Sequence, residues 1–197
     1  MGKVLMGAAV SLDGYIAFDD DTVGPLFDWY GNGDVEVVLG DPDRPFRVSE
    51  ASAAYIRAEW TDVRATVIGR RLFDTTNGWG GVPAAGEHVF VVTHAPPTNW
   101  PYPDAPFTFV GDGVASAVAQ AQVFAGDGVV SVTAGDVGGQ ALAAGLVDEV
   151  HSDLVPVVLG GGKPFFGSFS AVPLLLEDPR VVVAGDRVLH VIHPVRR

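Results

Sequence analysis

Short blocks of β-branched and apolar residues punctuate the chain: Val4 to Val10, Ala65 to Ile68, His88 to Thr93, Phe107 to Val110, Val129 to Thr133, Asp148 to Leu159, Val181 to Ala184 and Val188 to His193. Each is bounded by Gly, Pro, Asp or Asn, which predicts strands. Several are apolar throughout rather than alternating, as expected of strands covered on both faces. Between them the apolar period lengthens to that of helices. Ser49 can cap a helix whose inward face is Ala53, Ile56 and Trp60, and Asp112-Gly113 precedes another with Val114, Val118 and Ala121 inward. The alternation of strand and helix ends in a two-strand hairpin turning at Gly185-Asp186. The pattern therefore predicts an α/β sheet flanked by helices, with an antiparallel C-terminal edge.

Two connections stand out. Asp74 to Gly86 contains Asn77-Gly78-Trp79-Gly80-Gly81 and Pro83, and Ala95 to Pro106 contains five prolines with Trp100 and Tyr102. Loops of that length inside a compact domain are more often functional than idle.

At 197 residues the chain is expected to form a single domain, 1–197, with a substantial core. It has no cysteine, which removes disulfides, thiolate metal sites and thiol nucleophiles. A formal charge of −12 argues against nucleic acid, whose phosphate backbone requires a basic face. The N-terminal run lacks the apolar core of a signal peptide and no later run reaches transmembrane length, so a cytoplasmic protein with no membrane partner is expected. No metal site is read: Asp19-Asp20-Asp21 lacks the alternating ligands and glycine of a calcium loop, and His190 and His193 fall on opposite faces of one strand.

In so acidic a chain, the places where cations gather are informative. Val67-Ile68-Gly69-Arg70-Arg71 is a strand that stops at glycine and sets two guanidiniums at a helix start, a candidate phosphate clamp or an exposed pair held by nearby acids. Arg44 and Arg47 have Asp41 and Asp43 beside them, which favours a surface salt-bridge cluster, and Arg196-Arg197 reads as a solvated tail. The run Thr133-Ala134-Gly135-Asp136-Val137-Gly138-Gly139-Gln140 is a strand end, a glycine turn and a helix start, whose unpaired N–H groups suit a phosphate. Its spacing is not that of the dinucleotide fingerprint, and the glycines would serve tight packing equally well. No nucleophile elbow is present, which disfavours a hydrolase.

The segments "SLDGYIA", "VIGRRLFD", "GLVDEV" and "PVVLGGGKPFF", in this order and spacing, resemble the dihydrofolate reductase family, and most of all its riboflavin-biosynthesis reductase branch. The likeness runs from about Lys3 to His193. It implies a twisted mixed β-sheet flanked by helices, with NADPH across the carboxyl ends of the central strands. By resemblance, Ala9 and Ile16 meet the nicotinamide and the Gly69-Arg70 pair approaches the cofactor phosphates, with Arg71 beside it as the other half of the candidate clamp. Thr93 approaches the 2′-phosphate, and Gly135, Asp136, Val137, Gly138, Gly139 and Gln140 hold the pyrophosphate.

Two departures narrow the substrate. Thr133 stands where the riboflavin branch often carries an acid that contacts substrate, and a threonine cannot supply that charge. The acid that dihydrofolate reductases place just before an aromatic pair is out of register here, where Asp28 directly adjoins Trp29-Tyr30. Asp28, Asp13 of the Asp13-Gly14 turn, or solvent remain as proton donors.

The sequence thus predicts an NADPH-dependent reductase that transfers hydride to a pterin- or pyrimidine-like heterocycle. Trp29, Tyr30, Trp79 and Thr133 are expected around the substrate, and the glycine-flanked Trp79 as a lid. The alternatives are an NADP(H)-binding sensor or stress factor with little catalysis, and the reductase of the ribosylamino-pyrimidine phosphate intermediate of riboflavin synthesis. A homodimer is expected from the apolar surplus of Val150 to Leu159 with Phe165-Phe166.

Overall fold

The computed structural model describes residues 2–170 and 173–196. Met1 and Arg197 lie outside them, so of the terminal arginine pair only Arg196 is described, 3.4 Å from Glu177. In chain order the elements are β1 (Val4–Ser11), β2 (Tyr15–Ala17), β3 (Val35–Val37), β4 (Phe46–Val48), α1 (Glu50–Glu59), β5 (Val63–Gly69), α2 (Arg70–Thr76), β6 (His88–Val92), β7 (Phe107–Val110) and α3 (Val114–Ala125). They continue with β8 (Val129–Thr133), α4 (Asp136–Ala143), β9 (Glu149–Val155), β10 (Lys163–Pro164), β11 (Val181–Ala184) and β12 (Leu189–Pro194).

Eight of these strands form one sheet in the order β11-β12-β9-β1-β8-β5-β6-β7. From β9 to β7 every neighbouring pair is parallel, and the β11-β12 hairpin adds the antiparallel edge that the C-terminal pattern predicts. Parallel pairing aligns the carboxyl ends of β1, β8, β5 and β6 along one edge. Open α/β sheets bind their ligands at that edge.

One face is covered by α3 and α4, which pack Val118, Ala121, Ala141 and Leu142 on Met6, Val67 and Val132. The opposite face carries two separate clusters. Over β1, β9 and β12, α1 and a 3-10 segment (Gly24–Gly31) bury Leu26, Trp29, Ala53, Tyr55 and Ile56 on Ala9, Val155 and Ile192. Over β5 and β6, α2 and the following turn bury Phe73, with Trp79 and Trp100 packed against it, on Ile68, Val89 and Val91. The strand residues between the two clusters on this face are polar: Ser131, Thr133 and Thr66. Thr66 Oγ1 donates to the carbonyl of Ala85, so the 82–86 connection closes over its end of the strip.

Two expectations need correcting. The strand expected over Asp148 to Leu159 is shorter, because β9 ends at Val155 before Pro156, which has no N–H to donate. It is also not an apolar run, since Glu149, His151 and Asp153 are all buried on one face. The Asp74 to Gly86 loop is partly ordered: α2 extends to Thr76, and Asn77, Gly78, Trp79 and Gly80 follow with φ of 50°, 56°, 49° and 70°. Left-handed backbone is costly for a bulky residue such as Trp79. Among the described residues no helix is long and apolar enough to cross a membrane.

Candidate functional site

The carboxyl edge brings together most of the residues expected to hold a cofactor. Gly135 ends the turn after β8 with φ 93°, and a β-carbon there would stand 3.3 Å from Ile16 Cδ1. In the first turn of α4, Val137 Cγ2 lies 3.1 Å from where a side chain on Gly69 would begin. Next to Gly69, Arg70 Nη1 donates to Thr93 Oγ1 at 3.3 Å, just past β6. Ile16, Gly135 to Val137, Gly69-Arg70 and Thr93 thus form a continuous line from β2 past the carboxyl ends of β8, β5 and β6.

The first intrahelical bond of α4 runs from Gly139 N to Gly135 O at 2.8 Å, which leaves the N–H groups of 136–138 without intrahelical partners at the positive end of the helix. A carboxylate at Asp136 would repel an anion there. It is turned aside, its Oδ1 accepting from Ser168 N at 2.9 Å and Ser168 Oγ at 2.8 Å. Gly138 and Gly139 serve packing: a β-carbon would stand 2.7 Å from Thr133 O in the first and 2.1 Å from Phe166 O in the second. Gln140 is exposed on the outer side of α4.

The two arginines diverge. Arg70 is oriented by Asp74, 2.8 Å from its Nε, and by Ala95 O, 2.6 Å from its Nη1. Arg71 leaves this cluster, donating from Nε to Asp21 Oδ1 at 2.7 Å and from Nη2 to Asp19 O at 3.3 Å. It ties α2 to the loop after β2.

The two candidate acids behave differently. Asp13 Oδ1 accepts from Ser11 Oγ at 2.6 Å and Leu159 N at 3.1 Å, and Oδ2 from Gly160 N at 2.7 Å. These bonds, that from Ser11 foremost, hold its carboxyl below the usual range, which suits a fastener between β1 and the 156–162 segment rather than a proton donor. Asp28 is exposed on the 3-10 segment, while its neighbours Trp29 and Tyr30 turn into the cluster beneath α1. Trp79 belongs to the other cluster, so the expected aromatic residues do not stack together. They flank the strip that contains Thr133, whose Oγ1 donates to Val67 O at 3.4 Å. Arg44 reaches from the β3-β4 hairpin to the carbonyls of Trp79 and Val82, at 3.2 and 2.9 Å, and also pairs with Asp41.

A second polar group was not foreseen as a site. His190 Nδ1 lies 2.6 Å from Asp153 Oδ1 and His190 Nε2 lies 2.9 Å from Ser52 Oγ, with all three residues buried. Asp153 is the register partner of both Ala9 and His190, so its carboxylate shares their face of the sheet. Tyr55 stacks on the imidazole at 4.1 Å and Trp29 meets it edge-on at 5.0 Å. Burial, reinforced by the Asp153 charge, pushes the phenols of Tyr30 and Tyr55 far up. The signal was present in His151-Ser152-Asp153, where a strand period of two puts both ionisable residues on one face.

Lower on that face, Glu149 accepts from Lys3 at 2.9 Å and Arg180 at 3.0 Å, and lies 3.1 Å from His151 Nε2. Burial opposes its ionisation, but these partners outweigh burial and hold the carboxyl down at about 2. Glu59, Glu149 and His151 stand close enough together to share a metal ion. Arg180 bridges the two glutamates and occupies that position with a cation already.

The sheet order and the helix-covered faces define a fold of the dihydrofolate reductase type. Among solved structures, a protein ascribed to riboflavin biosynthesis in Shewanella sp. PV-4 superimposes with a TM-score of 0.67 at 21% identity, covering 99% of both chains. Dihydrofolate reductase from Enterococcus faecalis, solved with NADP(H), gives 0.58 at 16% identity over 100% of this chain and 98% of that one. The diaminohydroxyphosphoribosylaminopyrimidine deaminase/5-amino-6-(5-phosphoribosylamino)uracil reductase of Thermotoga maritima gives 0.62 at 15% identity, and this chain spans 57% of its length. No protein-family model matches the chain, and no curated protein sequence does.

Proposed function

We propose that the protein is an NADPH-dependent reductase acting on a planar pterin- or pyrimidine-like heterocycle. The observation that carries this reading is the continuous line of Ile16, Gly135 to Val137, Gly69-Arg70 and Thr93 along the carboxyl edge. The donor set fits a phosphorylated dinucleotide. Ala9 and Ile16 would flank the nicotinamide, the first turn of α4 would take the pyrophosphate, and Arg70 with Thr93 would take the 2′-phosphate. When bound, the cofactor supplies a hydride to a polarised C=N or C=O bond, while the protein orients the partners and excludes water. Arg71, paired with Asp21, contributes to the loop rather than to the clamp.

The substrate would lie on the polar strip of Ser131 and Thr133, between Trp29-Tyr30 and Trp79. Arg44 and Arg47 are paired with Asp41 and Glu36, which favours a substrate without an obligatory phosphate. One observation favours a second reading, an NADP(H)-binding protein with little catalysis: Ala9 is only 2% exposed beneath the packed aromatic cluster. Stopped-flow absorbance of bound NADPH, mixed with a panel of oxidised pterins, dihydropterins and aminopyrimidines, separates the two. Rapid loss of the reduced-nicotinamide band with at least one member supports the reductase. Tight NADPH binding with no oxidation by any member supports the binding protein.

A further inference from the structure

The polar strip proposed for the substrate is open at one end only. Thr133, at the carboxyl end of β8, is half-buried, whereas Ser131 and Thr66 further in are 7% and 8% exposed. Two segments cover the inner part. Thr66 Oγ1 donates to Ala85 O at 3.1 Å, which lays the 82–86 connection on the strand, and the chain that joins β3 to β4 meets this connection. A β-carbon on Gly40 would stand 2.2 Å from Pro83 O and 3.0 Å from the carbonyl carbon of Ala84, so the two backbones touch. Val37, Leu39 and Phe46 root the hairpin in the cluster beneath α1, while Trp79 roots the connection in the cluster over β5 and β6. Their contact therefore bridges the two clusters above the inner half of the strip.

One side chain fastens the bridge. Arg44 Nη1 donates to Trp79 O at 3.2 Å and Nη2 to Val82 O at 2.9 Å, while Asp41 Oδ2, 2.9 Å from Nε, aims the guanidinium. A guanidinium suits this task because its donors are fixed in one plane and can hold two carbonyls at once. Charge balance with Asp41 would need neither carbonyl bond. The turn that carries Trp79 does need a hold: from Asn77 to Gly81 every residue has φ between 49° and 88°, a left-handed path that costs a bulky side chain free energy unless its surroundings fix it. Trp100 Nε1 donates to Asn77 O at 3.3 Å, and Tyr102 Cγ lies 2.9 Å from where a side chain on Gly81 would begin. Aromatic residues of the 95–106 loop thus hold one side of the turn, and Arg44 ties it to the hairpin.

We propose that Arg44 is a specificity-determining residue: by latching the β3-β4 hairpin to the 79–85 connection it shuts the inner end of the strip, so that the pocket takes a bare flat ring system through its open end at Thr133. The inference rests on the reductase reading and narrows its substrate class. A ring seated over Thr133 would have Ser131 at its inner limit, and a bulky substituent pointing along the strip would meet the bridge. A pterin or aminopyrimidine without such a substituent fits, and one that carries an aryl or sugar group on its inner edge does not. Discrimination of this kind comes from a wall that resists displacement, so it fails when the wall is loosened.

Two readouts test the latch. In the protein without ligand, hydrogen exchange followed by mass spectrometry reports local opening of the 38–46 and 77–86 segments. Arg44→Ala removes two hydrogen bonds and an ion pair and should speed exchange in both segments about tenfold or more. Arg47→Ala, on the same hairpin but paired with Glu36 at 3.7 Å, should leave both as in the wild type. Unchanged exchange in Arg44→Ala overturns the latch. With NADPH bound, kcat/KM is then compared for a dihydropterin and an aminopyrimidine, each with and without a benzyl substituent. The wild type should prefer the bare ring about tenfold or more, and Arg44→Ala should reduce that preference to about threefold or less, chiefly through the KM of the substituted ring. A purely structural role would lower kcat/KM for both forms alike and leave the preference intact, which overturns the specificity role, as does a wild type that does not discriminate. Should Arg44→Ala fail to fold, Arg44→Lys, with one ammonium in place of the fork, carries both tests with smaller shifts. A wild-type protein that binds no NADPH, or oxidises it with no heterocycle, overturns the reductase reading and the specificity role with it, while the exchange result still decides the latch.

Discussion

Gly139 in α4 faces the carbonyl of Phe166 so closely that a β-carbon would stand 2.1 Å from its oxygen. The helix start and the 165–168 segment are therefore fitted backbone to backbone. Gly139→Ala should destabilise the fold by about 1 to 3 kcal/mol, measured as a lower urea midpoint. Gly31→Ala, where a β-carbon meets nothing within 4 Å, should change stability by no more than about 0.5 kcal/mol. Equal stability of the two variants would mean that the segment does not sit on α4.

Acid should unfold the protein through the Glu149 network. The carboxyl is held at about 2, below its ordinary 4.5, so the stabilisation is fully present above pH 4.5 and fades as the pH falls toward 2. Lys3 and Arg180 are partly exposed, and after allowance for screening the effect is about 1 to 2 kcal/mol. Glu149→Gln should flatten the fall in melting temperature over that interval. A variant whose acid profile matches the wild type contradicts the assignment.

Trp79 sits in left-handed backbone with its carbonyl held by Arg44, over the edge of the strip proposed for the substrate. Trp79→Ala should raise the KM for the heterocycle or lower kcat, while NADPH affinity changes by no more than about twofold, since contacts this far from the phosphates contribute little to cofactor binding. Matching losses in both would move the loop onto the cofactor.

Leu12 and Val158 are 63% and 66% exposed on adjacent segments joined by Leu12 N to Val157 O at 2.8 Å, and Phe166 is also partly exposed. Phe165, by contrast, is buried in the core. An apolar patch of this kind favours the homodimer expected from the sequence. Light scattering at micromolar concentration should give twice the chain mass, and Val158→Asp should return the monomer. A monomeric wild type removes the dimer from the account.

The parallel core was legible because strands covered on both faces are apolar throughout, so their blocks stand out without alternation. The short strands β2, β3, β4 and β10 were not, because each pairs with chain that its own few residues do not specify. Arg70 and Thr93 were brought together by the family resemblance, and they meet because each follows a strand whose carboxyl end points the same way. The path of Arg71 to Asp21 depends on how the loop after β2 folds, and nothing local encodes it. His190 and Asp153 lie 37 residues apart and meet only through the pairing of β9 with β12. A long apolar window concealed the polar face on which they sit.

The central claim is that the carboxyl edge binds a phosphorylated nicotinamide dinucleotide, and calorimetric titration with NADPH and NADH tests it most directly. Arg70 stands beside Thr93 at 3.3 Å, and a charge-assisted contact to the 2′-phosphate is worth about 1.5 to 3 kcal/mol. The wild type should therefore bind NADPH about tenfold to a hundredfold more tightly than NADH. Arg70→Gln should remove most of that difference while leaving NADH binding nearly unchanged. Equal affinity of the wild type for the two cofactors, or a full preference for NADPH retained in Arg70→Gln, would contradict the account.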